Sequence, residues 1–360
     1  MSSLDHDLEL KLRLRRILFC QGYWSPIEVE LSHYEPHARG VNRLPLTDLD
    51  VLGIRFDQLF VQHRIVGDCK SGKTVSDIGR VFWLKGVKEY FGADLGYYIR
   101  PQIDMHARAI APRLGLRTLN EGELSALEKT IRVDSLQIPL ADSSAYKSTE
   151  ELWGIRVPEG EKPSPEQLKL KAVYSYLSYR YWSTEFHRNL LGIVDLYQGI
   201  ADLLKPLDPK HILLAFVGAE RFAHCLLDIA TSAEELGAAD IPKYVRLYLF
   251  GGALGLRERE QFFELLHRAT GLKESLDPAY LPELLELISR MIKHPEGACD
   301  VLRHLTAAYI HCAFLGNSTF PIIGTGGTNT AAIVLAKDVC FTFAKVTGIS
   351  RSLFSAMEPL

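Results

Sequence analysis

Across residues 4–22, Leu8, Leu12 and Phe19 recur at the three-to-four-residue spacing of one helical face, with Arg15 or Arg16 between them. Gly22 then supplies a C-terminal stop. After it the period shortens. Residues 27–31 alternate apolar and acidic side chains, and 49–56 and 58–68 are rich in β-branched and aromatic residues punctuated by Gly, Asn and Pro, which predicts three strands in a meander. Ser76 can cap a helix running to about Phe91, with Ile78, Phe82, Leu84, Val87 and Tyr90 as its apolar stripe and Gly92 as its stop. A further strand over 95–100 and a helix near 105–114 complete the order helix, strand, strand, strand, helix, strand, helix, an α/β layer with a mixed sheet.

Beyond this layer the pattern loses its strand signals. Residues 134–167 are rich in Ser, Pro, Glu and Lys, with Pro158, Pro163 and Pro165 close together, as expected of an exposed connection. Segments near 166–204, 210–236, 241–270, 279–316 and 328–346 then carry helical spacing and end at Gly or Pro. The expected organisation is an α/β domain over 1–133, a linker over 134–167 and an all-α domain over 168–360.

Composition agrees with two folded parts: 360 residues exceed the size at which one core is the default, and 47% hydrophobic with 24% charged residues is an ordinary globular balance. The net charge of -3 excludes a coat protein that grips nucleic acid through an overall positive field, so any such contact is local. The opening run Lys11, Arg13, Arg15 and Arg16 is a candidate patch, although basic residues on a helix are more often a solvated face. The six cysteines, at 20, 69, 225, 299, 312 and 340, form no CxxC pair or zinc spacing, which fits reduced thiols in the cytoplasm. Charge interrupts every long apolar stretch, including 331–343 with Lys337 and Asp338, so no membrane partner is expected.

The chemistry-bearing stretch runs Thr47-Asp48-Leu49-Asp50-Val51-Leu52-Gly53 and then Gly67-Asp68-Cys69-Lys70-Ser71-Gly72-Lys73. Residues two apart on a strand share a face, so Asp68 and Lys70 project together and a neighbouring strand can bring Asp50 beside them. Two such carboxylates suit Mg²⁺, which keeps several waters and accepts a phosphate oxygen. The ion would stabilise charge on a scissile phosphate and acidify a bound water, and Lys70, protonated between two acids, would position that water or neutralise the transition state. A charge at the end of a buried strand, such as Asp50 beside Val51-Leu52 or Asp68 after Ile65-Val66-Gly67, needs a functional or a pairing reason.

On these residues and the αβββαβ order, residues 5–115 resemble the PD-(D/E)XK, restriction-endonuclease-like nuclease superfamily, with Asp50 as the first acid and Asp68-Cys69-Lys70 as the second motif. The resemblance implies a Mg²⁺- or Mn²⁺-dependent endonuclease hydrolysing phosphodiester bonds of DNA more than RNA, in restriction, repair or antiviral defence. It implies Asp50, Asp68 and the main-chain carbonyl of Cys69 as metal ligands, Asp50, Asp68 and Lys70 as the catalytic set, and Glu9 as the helical glutamate some members carry. Leu49 stands where the family writes proline, Asp48 competes with Asp50, and the second acid is Asp rather than Glu. Lys73 and Arg80 are possible accessory phosphate contacts. A non-catalytic nucleic-acid-binding or assembly protein on the same scaffold is the alternative, and the helical part could serve a homodimer or a partner protein.

The remaining motifs carry less. Ser71-Gly72-Lys73-Thr74 lacks the preceding glycine of a P-loop, and Gly324–Thr330 opens a helix without Rossmann or P-loop spacing, so it reads as a loop before it reads as a phosphate nest. Tyr174, Tyr176, Tyr179, Tyr181 and Trp182 read as interhelical packing before base stacking, and the histidines show no metal-ligand spacing.

Overall fold

The computed structural model describes residues 3–37, 40–72, 76–136, 138, 140, 143–155, 160–235, 240–271, 275–315 and 329–357. The chain opens with α1 (Ser3–Cys20), followed by the strands β1 (Ile27–His37), β2 (Gly40–Phe56) and β3 (Gln62–Cys69). Next come α2 (Asp77–Phe91), β4 (Leu95–Ile99), α3 (Met105–Ile110), β5 (Leu116–Leu119) and α4 (Glu121–Ile131). Among the described residues the strands form one mixed sheet in the order β1-β2-β3-β4-β5, antiparallel from β1 to β3 and parallel from β3 to β5. Both parallel pairings need a crossover: α2 supplies the one from β3 to β4, and α3 with residues 111–114 the one from β4 to β5.

The expected order of elements from α1 to β4 is the observed one, and the ends of α2 follow from its caps. The Ser76 side chain accepts the Gly79 N–H, and Gly92 takes the left-handed conformation (φ 65°) that ends the helix. Two differences have local causes. The β1–β2 hairpin reaches well past the expected residues, to His37 and Gly40, because residues 42–46 are exposed and carry no inside-outside alternation to read, with Leu44 and Leu46 facing solvent. The fifth strand, β5 at the sheet edge, has four residues, too few to display a period.

The helical part comprises α5 (Ser143–Leu152), α6 (Pro165–Ser175), α7 (Phe186–Gln198), α8 (Pro209–Glu235), α9 (Ile241–Leu249) and α10 (Gly252–Thr270). It closes with α11 (Leu281–Lys293), α12 (Pro295–Ala298), α13 (Val301–Leu315) and α14 (Thr330–Thr347). Among the described residues no helix is long and apolar enough to cross a membrane. The stretch expected to be an exposed linker is partly structure instead: Leu140 and Ala145 are buried, and α5 packs against α1, α8 and α13. A Ser- and Glu-rich sequence reads as solvated, and only the partner surface shows which of its sides is covered.

Two cores flank the sheet. On one face Leu10, Leu14, Ile17 and Leu18 of α1 meet Val51, Ile65, Tyr97 and Ile99, with Leu124 of α4 beside them. On the other face Leu49, Leu52, Ile54 and Val66 continue without a break into α8 through Phe222 and Leu226. Thr231 on α8 donates to the Phe60 carbonyl at 2.7 Å, and Trp24 stacks on Trp182 with ring centroids 5.8 Å apart, so the sheet and the helices share one interior.

Gly67 sets how closely α1 approaches the sheet. A Cβ there would lie 2.4 Å from Leu14 Cδ2 and 3.3 Å from Val51 Cβ. Gly67→Ala is therefore expected to destabilise the fold by about 1–3 kcal/mol through overpacking. Adding Leu14→Ala, which alone costs about 2–5 kcal/mol, should give a sum smaller than the two single losses because the methyl fills the vacated space. Urea denaturation of the three variants checks this, and simple additivity would refute the close approach.

Candidate active site

The β2–β3 register pairs Val51 with Gly67, so the next step along the two antiparallel strands sets Asp50 opposite Asp68. Both carboxylates are nearly sealed from solvent, at 2% and 1% exposure. Burial of two facing acids is costly unless cations and donors surround them, and three structural elements supply these. Lys70, just past β3, places its Nζ 3.0 Å from Asp50 Oδ2 and 3.7 Å from Asp68 Oδ1. Lys11 from α1 approaches Asp50 Oδ1 at 2.8 Å, and the Cys69 N–H donates to Asp50 Oδ2 at 2.8 Å. Arg80, one turn into α2, grips Asp68 with both arms of its fork, Nε to Oδ2 at 2.9 Å and Nη2 to Oδ1.

The surrounding charges separate the two acids. Burial alone would lift Asp50, but Lys11 and Lys70 with their hydrogen bonds hold it below the ordinary carboxylate range. Asp68 is raised, chiefly by burial and further by Asp50, with Arg80 only partly offsetting the rise. Burial works against the Lys70 ammonium, yet Asp50 and Asp68 outweigh it and raise its pKa, so Lys70 is a cation at neutral pH and not a general base. The site thus holds two acids of unlike affinity for protons and a lysine spanning them.

A second network fixes the turn after Lys70. Asp77, the first residue of α2, accepts from the Tyr98 hydroxyl and the Asp104 N–H, each at 2.7 Å, and pairs with Arg100. Arg100 in turn donates to the Gly72 carbonyl, and the Ser71 N–H donates to the Asp7 carboxylate of α1. The backbone that carries Lys70 is therefore tied to α1, α2 and β4.

Of the expected residues, Asp50, Asp68, Lys70 and Arg80 come together. Glu9 does not: it is exposed on α1, on the side of Arg13, because Asp7 and Lys11 are the α1 residues whose spacing faces the strand ends. Asp48 is exposed two residues out along β2, across from Glu30, and does not replace Asp50. Cys69 contributes its main-chain N–H to the carboxylate cluster. Lys73 and Gly324–Thr328 lie outside the described residues; Asn329 caps α14 by accepting the Ala332 N–H.

The opening basic run is not a solvated face. Lys11 is buried on Asp50 and Glu28, Arg13 and Arg16 pair with Glu128 of α4, and Arg15 is buried. Their repeated apolar neighbours at Leu10, Leu12 and Leu14 were the available sign that both sides of α1 are covered. Of the aromatic run, Tyr174 and Tyr181 are packing in the core, while Tyr179 and Trp182 line a cavity. Asp7, Lys11, Asp77, Tyr98 and Arg100 carry no motif and are found only through their contacts.

The chain matches no family model, no curated protein and no solved structure. The site is therefore read from its own chemistry. Among the described residues no group of three or more His, Cys, Asp or Glu side chains could hold a metal ion. The donor set at the cleft is the pair Asp50 and Asp68, whose oxygens are held by Lys11, Lys70, Arg80 and the Cys69 N–H.

Arg80→Ala tests the electrostatics. Losing the guanidinium leaves Asp68 buried and singly supported, which raises its pKa further. A carboxyl whose folded pKa lies above its unfolded value contributes stability below the unfolded pKa and loses it as pH rises through the folded pKa. The variant is expected to lose about 3–5 kcal/mol at pH 8 and distinctly less at pH 5, measured by urea denaturation against wild type. An equal loss at both pH values would show that Arg80 acts through packing on Trp83 alone, whose ring it covers at 3.7 Å.

Proposed function

We propose that this protein is a metal-dependent nuclease of the PD-(D/E)XK, restriction-endonuclease-like type, hydrolysing phosphodiester bonds of DNA in preference to RNA with Mg²⁺ or Mn²⁺. The observation that carries the reading is the facing of Asp50 and Asp68 across β2 and β3 with Lys70 reaching both. The αβββαβ order, with β3 and β4 parallel and α2 as the crossover, supports it as well. Asp50 and Asp68 are the residues that would hold the ion, whose contribution is to polarise the phosphate and acidify a bound water.

The chain's own cations do the remainder. Lys70, protonated at neutral pH, orients the attacking water or offsets charge on the phosphorus oxygens as it develops. Arg80 uses its planar fork on both oxygens of Asp68 and so fixes that carboxylate at the cleft. The Asp77-Tyr98-Arg100 network keeps the Lys70 turn in place, a positioning role. The helical part would provide recognition or assembly, and a homodimer would be needed for cutting both strands at one place.

One observation favours a second reading. Lys11, Lys70 and Arg80 already neutralise both carboxylates, as they would in a non-catalytic scaffold held together by a buried ion cluster. Incubation of labelled single- and double-stranded DNA and RNA with Mg²⁺, Mn²⁺ or EDTA separates the two. Metal-dependent cutting that falls by about 10²-fold or more in folded Asp68→Asn and Lys70→Ala is expected. No cutting of any substrate, joined with no Mn²⁺ uptake by calorimetry, would leave the scaffold.

A further inference from the structure

Beside the carboxylate cleft lies a separate, half-open cavity of about 420 Å³, lined by residues of α1, β1, β2, α5, the short helical segment 176–183, α8 and α13. Its size is that of a small-molecule site. Five aromatic side chains line part of it, Tyr146, Trp153, Tyr179, Trp182 and Tyr309, together with aliphatic residues and four carboxylates. Two arginines line it as well. Arg221 pairs with Glu220 at 2.9 Å and lies over the Trp24 and Trp182 rings at 4.7 and 4.8 Å, so its charge is already spoken for.

Arg15 is different. It is 7% exposed, its Nε is buried without a hydrogen-bond partner, and among the described residues its guanidinium makes no ion pair. The carboxylates of Glu150 and Glu220 feel its charge without pairing with it, which leaves a buried N–H of the guanidinium open to an anion brought from outside. Acceptors are also present: Glu150 stands at the exposed mouth, and Glu28 lies on the wall facing α1. An anion receptor, flat rings and carboxylate acceptors in one cavity match a ligand that has an anionic group, a planar heterocycle and exocyclic amines.

We propose that this cavity binds a nucleoside monophosphate unit, its phosphate on Arg15, its base against the indole and phenol rings, and its amino group on Glu150 or Glu28. The site does not depend on the nuclease reading, although it adjoins the cleft. Glu28 lines the cavity and holds Lys11 at 2.5 Å, and Lys11 holds Asp50, so one side chain separates the two. Glu28 itself sits at φ 55°, in the left-handed region, and its side chain pairs with Lys11.

The full chain is titrated in EDTA, which removes any metal-dependent cutting, with the four ribonucleoside 5′-monophosphates, inorganic phosphate and a 5′-phosphorylated single-stranded tetranucleotide. Calorimetry and indole fluorescence are read together, since Trp153 and Trp182 both line the cavity. Saturable micromolar binding of at least one mononucleotide is expected, tenfold or more tighter than inorganic phosphate, lost tenfold or more in Arg15→Ala, weakened in Glu150→Gln and kept in Asp68→Asn. Tighter binding of the tetranucleotide, in competition with the mononucleotide, assigns the cavity to a nucleotide of a strand; the reverse order assigns it to a free nucleotide. Absence of saturable binding by folded wild type overturns the proposal. So does wild-type affinity in Arg15→Ala or, where that variant fails to fold, in Glu150→Gln, whose side chain is at the surface.

Discussion

Two carboxylates face each other across neighbouring strands with almost no access to water, and the arrangement of the surrounding elements answers that one electrostatic demand. Either charge alone would be expensive to bury, and two together repel. Asp50 is stabilised by an ammonium from α1, an ammonium from the end of β3 and a backbone N–H. Asp68 is stabilised by a guanidinium from α2. Removing any of these elements would leave a charge that the protein interior cannot solvate, so the positions of α1 and α2 against the sheet are set by charge as much as by apolar packing.

The apolar packing is arranged to permit this. Gly67 lets α1 lie close to β3, and that closeness carries Lys11 to Asp50 and Asp7 to the Ser71 N–H. Arg13 and Arg16 on the outer side of α1 meet Glu128 of α4, which fastens the helix from behind. One helix therefore touches the carboxylate cleft, the adjoining aromatic cavity through Arg15, and the outer layer. Whatever chemistry the cleft performs, α1 is the element through which a ligand in the cavity would be felt there.

The helical part is joined to the sheet by more than contact between apolar surfaces. His224 on α8 is buried among Trp24, Phe56 and Phe186, accepts or donates to the Tyr181 hydroxyl at 2.7 Å, and lies 3.3 Å from the Gln62 amide of β3. Burial, reinforced by Arg221 and Arg64, holds its pKa well below the ordinary value, so it stays neutral and serves as a hydrogen-bonding link rather than a charge. Cys299 and Thr231 bond to the carbonyls of Asp57 and Phe60 in the β2–β3 connection. The inner parts of the strands that carry Asp50 and Asp68 are thus backed by the helices.

Local pattern was enough to specify α1 through β4, because each has either a period, a cap such as Ser76 and Gly92, or a run of β-branched residues that acts over a few neighbours. It also isolated Asp50, Asp68 and Lys70, since charges interrupting buried strands stand out in a sequence. It could not find β5, the outer half of the β1–β2 hairpin or the packing of α5, whose residues acquire a buried side only from distant partners. Nor could it tell Lys11 from a solvated lysine or prefer Asp7 over Glu9, because the face of α1 that meets the strands depends on the approach that Gly67 allows. Spacing along a chain decides which side chains share a face. Which face is covered, and by what charge, is decided by elements far apart in sequence, and so by the tertiary structure alone.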